Sequence, residues 1–376
     1  MKTIFPTLVG LIVAGSGAAA SHAMGRRTPF GTLDVTLQAT GNTKVMATVT
    51  NFGDEAYNLY FKNTLLDTSA VDKVVVTVDQ NKVPSNGLRL VFSRYNLSPT
   101  HFLKLEPGGV HQVELDIAET HRLQDSPHGI HEVSAEGHFL YAELNSTRTI
   151  GRIPYASNKL VLHIDQEQAA VVYEHANPDY RHRDMRKRST IDRNHCSSSQ
   201  AYIIAQGQRY VTNWAQRAAN AVATGSPTQL FNAYWKSRTF INDIETCYRG
   251  IADEAAGIGG DKITIACRDT GTGNSCAGEA GEDPPLAFAR EYDNLMVLCP
   301  PFWDSPIIVN TCSPDEDSQV ATLIHELTHF QNVCGHSCDD LVYGRASSKA
   351  LPSSDAVDNA DTYALFAEDY INNCSG

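Results

Sequence analysis

Two histidines and a glutamate in the C-terminal half have the spacing of a catalytic metal site. Residues 325–329 read HELTH, so His325 and His329 are four positions apart with Glu326 beside the first. On a helix, side chains at positions i and i+4 project side by side, with Cβ atoms about 5–6 Å apart. Two imidazole nitrogens at this spacing can bind one Zn²⁺ ion, and Glu326 can stand beside it as the general base that acts on a zinc-activated water.

A catalytic zinc site of this kind needs a third protein ligand, and the sequence offers several. Asp339 and Asp340 supply carboxylates, which form an accepted zinc set with two imidazoles, and spacing alone does not choose between them. His336 would give a metzincin-like site, but that pattern requires Gly and His where this chain has Asn332 and Gly335. The remaining candidates are Glu368, Cys334 and Cys338.

A helix must hold the two histidines in register. Ser313, Pro314 and Glu316 have the pattern of a capping box with proline at the first helical position, so the helix is predicted to open there. An apolar stripe follows at helical spacing: Val320, Leu323, Ile324, Leu327 and Phe330. Gly335 can end the helix and turn the chain back, which would bring an aspartate to the metal.

The first 23 residues have the pattern of a secretory signal peptide. Lys2 precedes an apolar run, residues 8–20, and Ser21-His22-Ala23 then forms a small-x-small cleavage pattern. The run is shorter than the roughly 20 residues that span a bilayer, and no later segment of the sequence is long and apolar enough. We therefore expect a secreted, extracellular protein without a membrane anchor.

Residues 24–188 have the pattern of an all-β, sandwich-like domain. Apolar and polar residues alternate from Leu33 to Ala39 and from Val45 to Val49, with a turn at residues 40–43 between them. Further strands are predicted near residues 74–78, 88–92, 110–117, 138–144 and 159–164. Residues 189–376 are instead mainly helical in pattern, with helices at 198–221, 228–256 and 357–372 and strands at 263–267 and 295–298. The predicted fold class is α+β.

A basic run, residues 181–188, separates the two halves and ends in Lys187-Arg188. In a secreted protein this is where a kexin-type processing protease cleaves, so residues 24–188 are predicted to be a propeptide and residues 189–376 the mature domain. The mature half carries 11 Lys and Arg against 24 Asp and Glu, so the net charge of −13 lies entirely on it. An acidic domain attracts cationic partners and disfavours nucleic acid.

All nine cysteines lie in the C-terminal half, at positions 196, 247, 267, 276, 299, 312, 334, 338 and 374. A secreted route favours disulfides. An odd number leaves at least one thiol free or paired between chains.

The combination of HELTH, DDLVYG and DNADTYAL, the last at residues 358–365, resembles the deuterolysins. These are secreted fungal neutral proteases (neutral protease II type) of the aspzincin group of zinc metalloendopeptidases. The resemblance covers the whole chain, including LDVTLQATGNTKVMATVTNFGDEA at the start of the predicted propeptide. The family segment Gly-Thr-x-Asp-x-x-Tyr-Gly, aligned on Tyr343 and Gly344, implies that Asp340 is the third zinc ligand. Ser337 and Cys338 stand where the family has Gly-Thr.

The resemblance implies further roles. Tyr343 would face the zinc and stabilise an oxyanion, and Asp361 would accept a hydrogen bond from a zinc-binding imidazole. The implied disulfides are Cys196–Cys267, Cys276–Cys299 and Cys312–Cys374. Cys247, Cys334 and Cys338 remain outside these pairs. A Cys334–Cys338 or Cys247–Cys338 bond could brace the loop that carries Asp340.

Together, these patterns predict a secreted zinc metalloendopeptidase, made as a zymogen, with one Zn²⁺ per chain. Deuterolysins cleave basic proteins such as histones and protamines, which agrees with the acidic mature half. The expected partners are protein and peptide substrates and the protein's own propeptide, and we expect a monomer. Two alternatives stay open: a metzincin-like protease that uses His336, and an inactive secreted binding protein.

Overall fold

The computed structural model describes residues 32–93, 97–177, 190–192, 194–258, 263–269, 275–277, 283–312 and 316–375. The predicted signal peptide, residues 1–23, and the predicted cleavage site at Lys187 and Arg188 lie outside these ranges. Within them, every helix is too short or too polar to cross a lipid bilayer.

The N-terminal region, residues 32–177, consists mostly of short antiparallel strands because its apolar residues recur at every second position. In the first strand Leu33, Val35 and Leu37 are buried, whereas the side chains between them are partly exposed. The elements of this region are β1 (Leu33–Ala39), β2 (Lys44–Asn51), β3 (Tyr57–Tyr60), β4 (Val75–Val78), β5 (Asn81–Lys82), β6 (Arg89–Val91), β7 (Phe102–Leu105), β8 (Val110–Asp116), β9 (Ile130–Ser134), β10 (Glu136–Ala142), β11 (Thr149–Ala156), β12 (Leu160–His163) and α1 (Gln166–Ala176).

All of these strands except β6 form antiparallel sheets of order β1-β2-β8, β11-β10-β3-β7 and β12-β9-β4-β5, and most of their buried residues belong to one hydrophobic core. β1 and β2 form the predicted hairpin, with Leu33 opposite Asn51 and Ala39 opposite Val45. The region therefore has the predicted all-β character, apart from α1.

The C-terminal region, residues 190–375, is mainly helical around a small sheet, so the fold class is α+β as predicted. Its elements are β13 (Thr190–Ile191), α2 (Ser198–Thr224), α3 (Thr228–Tyr234), α4 (Ile241–Ala256), β14 (Thr264–Ala266), β15 (Ala287–Arg290), β16 (Leu295–Leu298), α5 (Pro300–Asp304), α6 (Gln319–Thr328), α7 (Gln331–Cys334), α8 (Arg345–Ala350), α9 (Ser353–Val357) and α10 (Ala360–Ile371). The segment predicted to be helical at residues 228–256 forms two helices rather than one. α3 and α4 are separate because Lys236, between them, has a left-handed φ of 58°.

Helix α6, which carries the HELTH motif, packs against α2, α10 and β15, and its ten residues are all buried. The predicted start in the capping box at residues 313–316 is wrong, and residues 313–315 lie outside the described ranges. Ser318 caps the helix, because its hydroxyl accepts a hydrogen bond from the Ala321 N–H at 3.1 Å. The helix ends at Thr328 because Phe330 is extended (φ −100°, ψ 109°). A second short helix, α7, then ends at Gly335, whose φ is +81°.

One strand predicted for the N-terminal sandwich belongs elsewhere. β6 does not join the N-terminal sheets but forms the edge of a five-stranded sheet of order β13-β14-β16-β15-β6. Its residues pair antiparallel with β15, with Arg89 opposite Ala289 and Val91 opposite Ala287. Leu90 packs in a buried cluster with Phe288, so the two regions share both a sheet and a core.

Four disulfides link cysteines of the C-terminal region. The pairs Cys196–Cys267, Cys276–Cys299 and Cys312–Cys374 are those that the resemblance implies. The fourth, Cys247–Cys334, ties α4 to α7 and leaves Cys338 as a buried free thiol, so both suggested pairings of Cys338 are wrong. Close packing of α4 on α7 decides this pairing, since an added Cβ at Gly250 would lie 1.9 Å from the Val333 carbonyl oxygen.

Candidate metal centre

His325 and His329 lie side by side at the C-terminal end of α6. The ring centroids are 5.0 Å apart, and both side chains are fully buried. His325 lies in the last turn of the helix, and His329 is its C-terminal cap residue. Helical spacing therefore places the two imidazoles as the sequence predicts.

Each imidazole is held through its Nδ1 atom. Nδ1 of His325 lies 2.9 Å from Oδ1 of Asp361, and Nδ1 of His329 lies 2.8 Å from the Cys338 carbonyl oxygen. Both partners are acceptors, so each Nδ1 carries a proton, which leaves each Nε2 as the ring nitrogen that can bind a metal. Metal-binding histidines are usually oriented in this way, by an acceptor that bonds to the ring nitrogen not used for the metal.

Asp340 completes the group. Its carboxylate oxygens lie 3.0 Å from Nε2 of His325 and 3.7 Å from Nε2 of His329, and its side chain is 5% exposed. The candidate ligand atoms of these three residues all lie within 4.8 Å of one another. Among the described residues, His325, His329 and Asp340 are the group of this kind that could hold a metal ion.

Several buried atoms of these three residues and of the neighbouring Glu326 make no hydrogen bond. They are Nε2 of His325, Nε2 of His329, Oδ1 of Asp340 and both carboxylate oxygens of Glu326. Nε2 of His325 and Oδ1 of Asp340 are 3.0 Å apart but do not have hydrogen-bond geometry. Leaving such atoms unpaired is costly, so a cluster of them calls for a bound cation or a proton. Two imidazole nitrogens and a carboxylate suit Zn²⁺, so the residues present fit the ion.

The electrostatics of the group favour a positive charge at His325 but not at His329. Burial lowers the pKa of His325, but the carboxylates of Asp340 and Asp361 outweigh burial and, in the absence of a cation, raise this pKa to about 10. Burial lowers the pKa of His329 to about 4, against the opposing effect of Asp340. Burial likewise raises the pKa of Glu326 well above its usual value.

The loop that carries Asp340 is positioned by Asn359, which lies just before α10. The side-chain oxygen of Asn359 accepts hydrogen bonds from the N–H groups of Leu341 and Val342, both at 3.0 Å. Asp339, one residue earlier, pairs instead with Arg89 and is 62% exposed at its side chain. The two neighbouring aspartates, which the spacing leaves equivalent, therefore have different surroundings.

Asp361 and Tyr343 lie beside the group. Asp361 bridges two elements, because its other carboxylate oxygen accepts a hydrogen bond from the Gly344 N–H at 2.7 Å. The Tyr343 hydroxyl accepts a hydrogen bond from the side-chain amide of Asn63 at 3.0 Å. Burial, followed by the negative charge of Asp340, raises the pKa of Tyr343, so the phenol keeps its proton at neutral pH.

The other candidate ligands have different neighbours. Nε2 of His336 lies 3.3 Å from the Val357 carbonyl oxygen and 3.6 Å from Sγ of Cys338. Glu368 is ion-paired with Arg345. Cys334 is in a disulfide, and the thiol of Cys338 points towards the Val357 carbonyl oxygen. The structure brings none of these side chains into the group of His325, His329 and Asp340.

Comparison with known proteins identifies the family of the chain. Residues 4–374 match the profile of the "Deuterolysin metalloprotease (M35) family". The chain belongs to the deuterolysin family. It is therefore a zinc metalloendopeptidase, and its His-His-Asp group can hold the metal of that family.

Relatives match the deuterolysin chain over nearly its whole length. A neutral protease 2 homolog of Arthroderma gypseum is 33% identical over 366 residues, which cover 95% of each chain. A probable neutral protease 2 homolog of Trichophyton verrucosum is 33% identical and covers 95% of this chain and 96% of its own. Among solved structures, a zinc peptidase from Grifola frondosa matches 47% of this chain and 98% of its own, with 21% identity and a TM-score of 0.37.

Two residues at the site were missed by reasoning from the sequence of this deuterolysin. Asn63 contacts both Tyr343 and Asp340, and Arg89 pairs with Asp339. Both lie in the N-terminal region, more than 200 positions from the residues that they contact. No local pattern marks them, because the contacts exist only once the two regions pack together.

Proposed function

We propose that residues 189–376 form a secreted endopeptidase that hydrolyses internal peptide bonds of basic proteins. We further propose that residues 24–188 are removed after Arg188 to activate it. The observation that carries the proposal is that three side chains able to bind a metal converge, and that the buried, unpartnered carboxylate of Glu326 interacts electrostatically with two of them, His325 and Asp340. Zinc would be held by Nε2 of His325, Nε2 of His329 and the carboxylate of Asp340.

When bound at such a site, zinc acts as a Lewis acid that polarises the scissile carbonyl and makes a water molecule easier to deprotonate. Glu326 takes a proton from the attacking water while the oxygen of that water bonds to the carbonyl carbon. It then gives this proton to the nitrogen of the leaving amine as the carbon–nitrogen bond breaks. Burial raises the pKa of Glu326, which makes its carboxylate a stronger proton acceptor than an exposed one.

Tyr343 is the proposed donor to the carbonyl oxygen, which gains negative charge during the attack. Its raised pKa keeps the hydroxyl protonated and able to donate. In the full chain the side-chain amide of Asn63 donates to this hydroxyl and lies against it, so a substrate carbonyl can approach the hydroxyl only when the N-terminal region leaves.

Secretion and latency complete the proposal. The signal-peptide pattern, four disulfides and an acidic C-terminal half support a secreted enzyme that attracts cationic chains. The N-terminal region contains no cysteine that could bind zinc, so latency must come from other contacts.

The test compares the full chain before and after cleavage at residue 188 by a kexin-type protease. Cleavage is expected to produce chelator-sensitive hydrolysis of a basic protein such as protamine. Glu326→Gln should keep one zinc per chain and lose at least about a thousandfold in kcat, because the proton acceptor is gone. Tyr343→Phe should lose about 10- to 100-fold in kcat with little change in KM.

The exposed Glu316→Gln is the matched control and should stay fully active. Zinc content without any peptidase activity in the cleaved wild type would instead support the inactive binding protein. Full turnover in Glu326→Gln would refute the proposed base.

A further inference from the structure

Strand β6 of the N-terminal region is the outermost strand of the sheet that lies beside the metal group. It pairs antiparallel with β15, with Leu90 opposite Phe288, and the Leu286 N–H also bonds to the Val91 carbonyl oxygen at 2.7 Å. Without β6, the outer edge of β15 would present unpaired N–H and C=O groups. Such an edge is a ready template for an extended peptide, which would bind by adding a strand.

The side chain of Asn63 connects the backbone of β6 to the metal group. Asn63 pairs with both backbone groups of Leu90: its Oδ1 accepts from the Leu90 N–H at 3.0 Å, and its Nδ2 donates to the Leu90 carbonyl oxygen at 2.5 Å. The same Nδ2 lies 3.0 Å from the Tyr343 hydroxyl and 3.4 Å from Oδ2 of Asp340. A carboxamide, which resembles a peptide group, thus lies against the proposed oxyanion donor and a proposed zinc ligand.

Arg89, a residue of β6, contacts the loop that carries Asp340 through its side chain. Its guanidinium donates to the Cys338 carbonyl oxygen at 2.9 Å and to Oδ1 of Asp339 at 2.5 Å. It also pairs with Asp72 of its own region at 3.2 Å. When the N-terminal region leaves, Arg89 and Asp72 leave together, and the Asp339 carboxylate and the Cys338 carbonyl become acceptors for another cationic side chain.

We propose that β6 holds the place of a substrate: the cleaved enzyme binds an extended peptide along β15 with a basic side chain on Asp339, and the N-terminal region inhibits by occupying both positions. This inference rests on the proposed function, since it requires that residues 189–376 are the active enzyme. A cavity of about 320 Å³ at this junction, lined in part by Asn63, Arg89, Asp339 and Tyr343, adjoins the proposed path.

The first arm of the test uses the cleaved full chain and two peptides that differ only in one arginine or alanine next to the scissile bond. Asp339→Asn is expected to lower kcat/KM for the arginine peptide about tenfold, the loss of one charged hydrogen bond, and to leave the alanine peptide within about twofold. The exposed Asp253→Asn is the matched control. Zinc content must stay at one per chain, which shows that the neighbouring Asp340 is undisturbed.

The second arm uses the uncleavable full chain, with Lys187→Ala and Arg188→Ala. Adding Arg89→Ala or Asn63→Ala should raise its peptidase rate at least about tenfold, because each removes contacts that hold β6 at the site. Lys104→Ala, which removes an exposed charge of the same region, is the control and should stay latent. Matching thermal melts show that these variants fold.

The two possible failures are distinguishable. A cleaved wild type without zinc-dependent activity would refute the proposed function itself. If the cleaved wild type is active, the substrate-mimic inference is overturned by an equal effect of Asp339→Asn on both peptides. Folded Arg89→Ala and Asn63→Ala chains that stay as latent as their parent would overturn it as well.

Discussion

One carboxylate oxygen of Asp361 lies 2.9 Å from Nδ1 of His325, and its other oxygen accepts a hydrogen bond from the Gly344 N–H at 2.7 Å. A single buried side chain at the start of α10 therefore orients an imidazole on α6 and anchors the loop that carries Asp340 and Tyr343. The metal group and the proposed oxyanion donor depend on the same residue.

Asp361→Asn should accordingly weaken zinc binding about 10- to 100-fold, the usual effect of losing the acceptor that orients a metal-binding histidine. An asparagine can still fill the space but can present an N–H to Nδ1, which disfavours the tautomer that zinc requires. Competition with a chelator measures the affinity. Asp358→Asn, an exposed aspartate three residues earlier, should bind zinc as the wild type does. Unchanged affinity in Asp361→Asn would show that His325 needs no such partner.

Asp340→Ala should lose bound zinc on dialysis, whereas His336→Ala should retain it. Asp340 lies with both imidazoles, and His336 lies with the Val357 carbonyl oxygen and Cys338 instead. Metal analysis of the dialysed proteins gives zinc per chain. The opposite pattern would support the metzincin-like alternative.

Zinc binding should release about one imidazole proton at neutral pH. With a pKa of about 10, cation-free His325 is protonated at pH 7, whereas His329, with a pKa of about 4, is already neutral. A proton on His325 competes with the metal, so zinc affinity should rise about tenfold per pH unit between about pH 5 and pH 9. Below the pKa of His329 a second proton competes, and the dependence becomes steeper.

Calorimetry in buffers of different ionisation enthalpy measures this proton release. The Glu326→Gln variant is the appropriate background, because Glu326 is buried with a raised pKa and could otherwise contribute a proton of its own. A zinc affinity that does not change between pH 6 and pH 8 would contradict the assignment of a charged His325 in the cation-free state.

Cys338 should be the one cysteine that reacts with an alkylating reagent, and only after unfolding. Its thiol is buried, and burial raises its pKa well above the usual value, so the native protein offers little reactive thiolate. Mass spectrometry of unreduced peptides should find Cys247 linked to Cys334. Native labelling of Cys338, or a Cys247–Cys338 peptide, would contradict the structure.

The residues that bind and orient zinc differ in how far the sequence alone determines them. The spacing of His325 and His329 is enough to bring the imidazoles together, because helical periodicity acts over a few residues. Residue spacing leaves Asp339 and Asp340 equivalent, and the resemblance to the deuterolysins, rather than local physics, favours Asp340. In the folded chain, hydrogen bonds from the loop to Asn359 separate the surroundings of the two aspartates.

The fold shows the same division. Alternating apolar residues determine β1 and β2, and helical spacing determines α2 and α10, since both patterns follow from local geometry. Only the tertiary structure decides that β6 joins the C-terminal sheet, that Asn63 reaches Tyr343 across 280 positions, and that Cys247 pairs with Cys334. These contacts depend on how two distant regions pack, and residue types at short spacing carry no information about that packing.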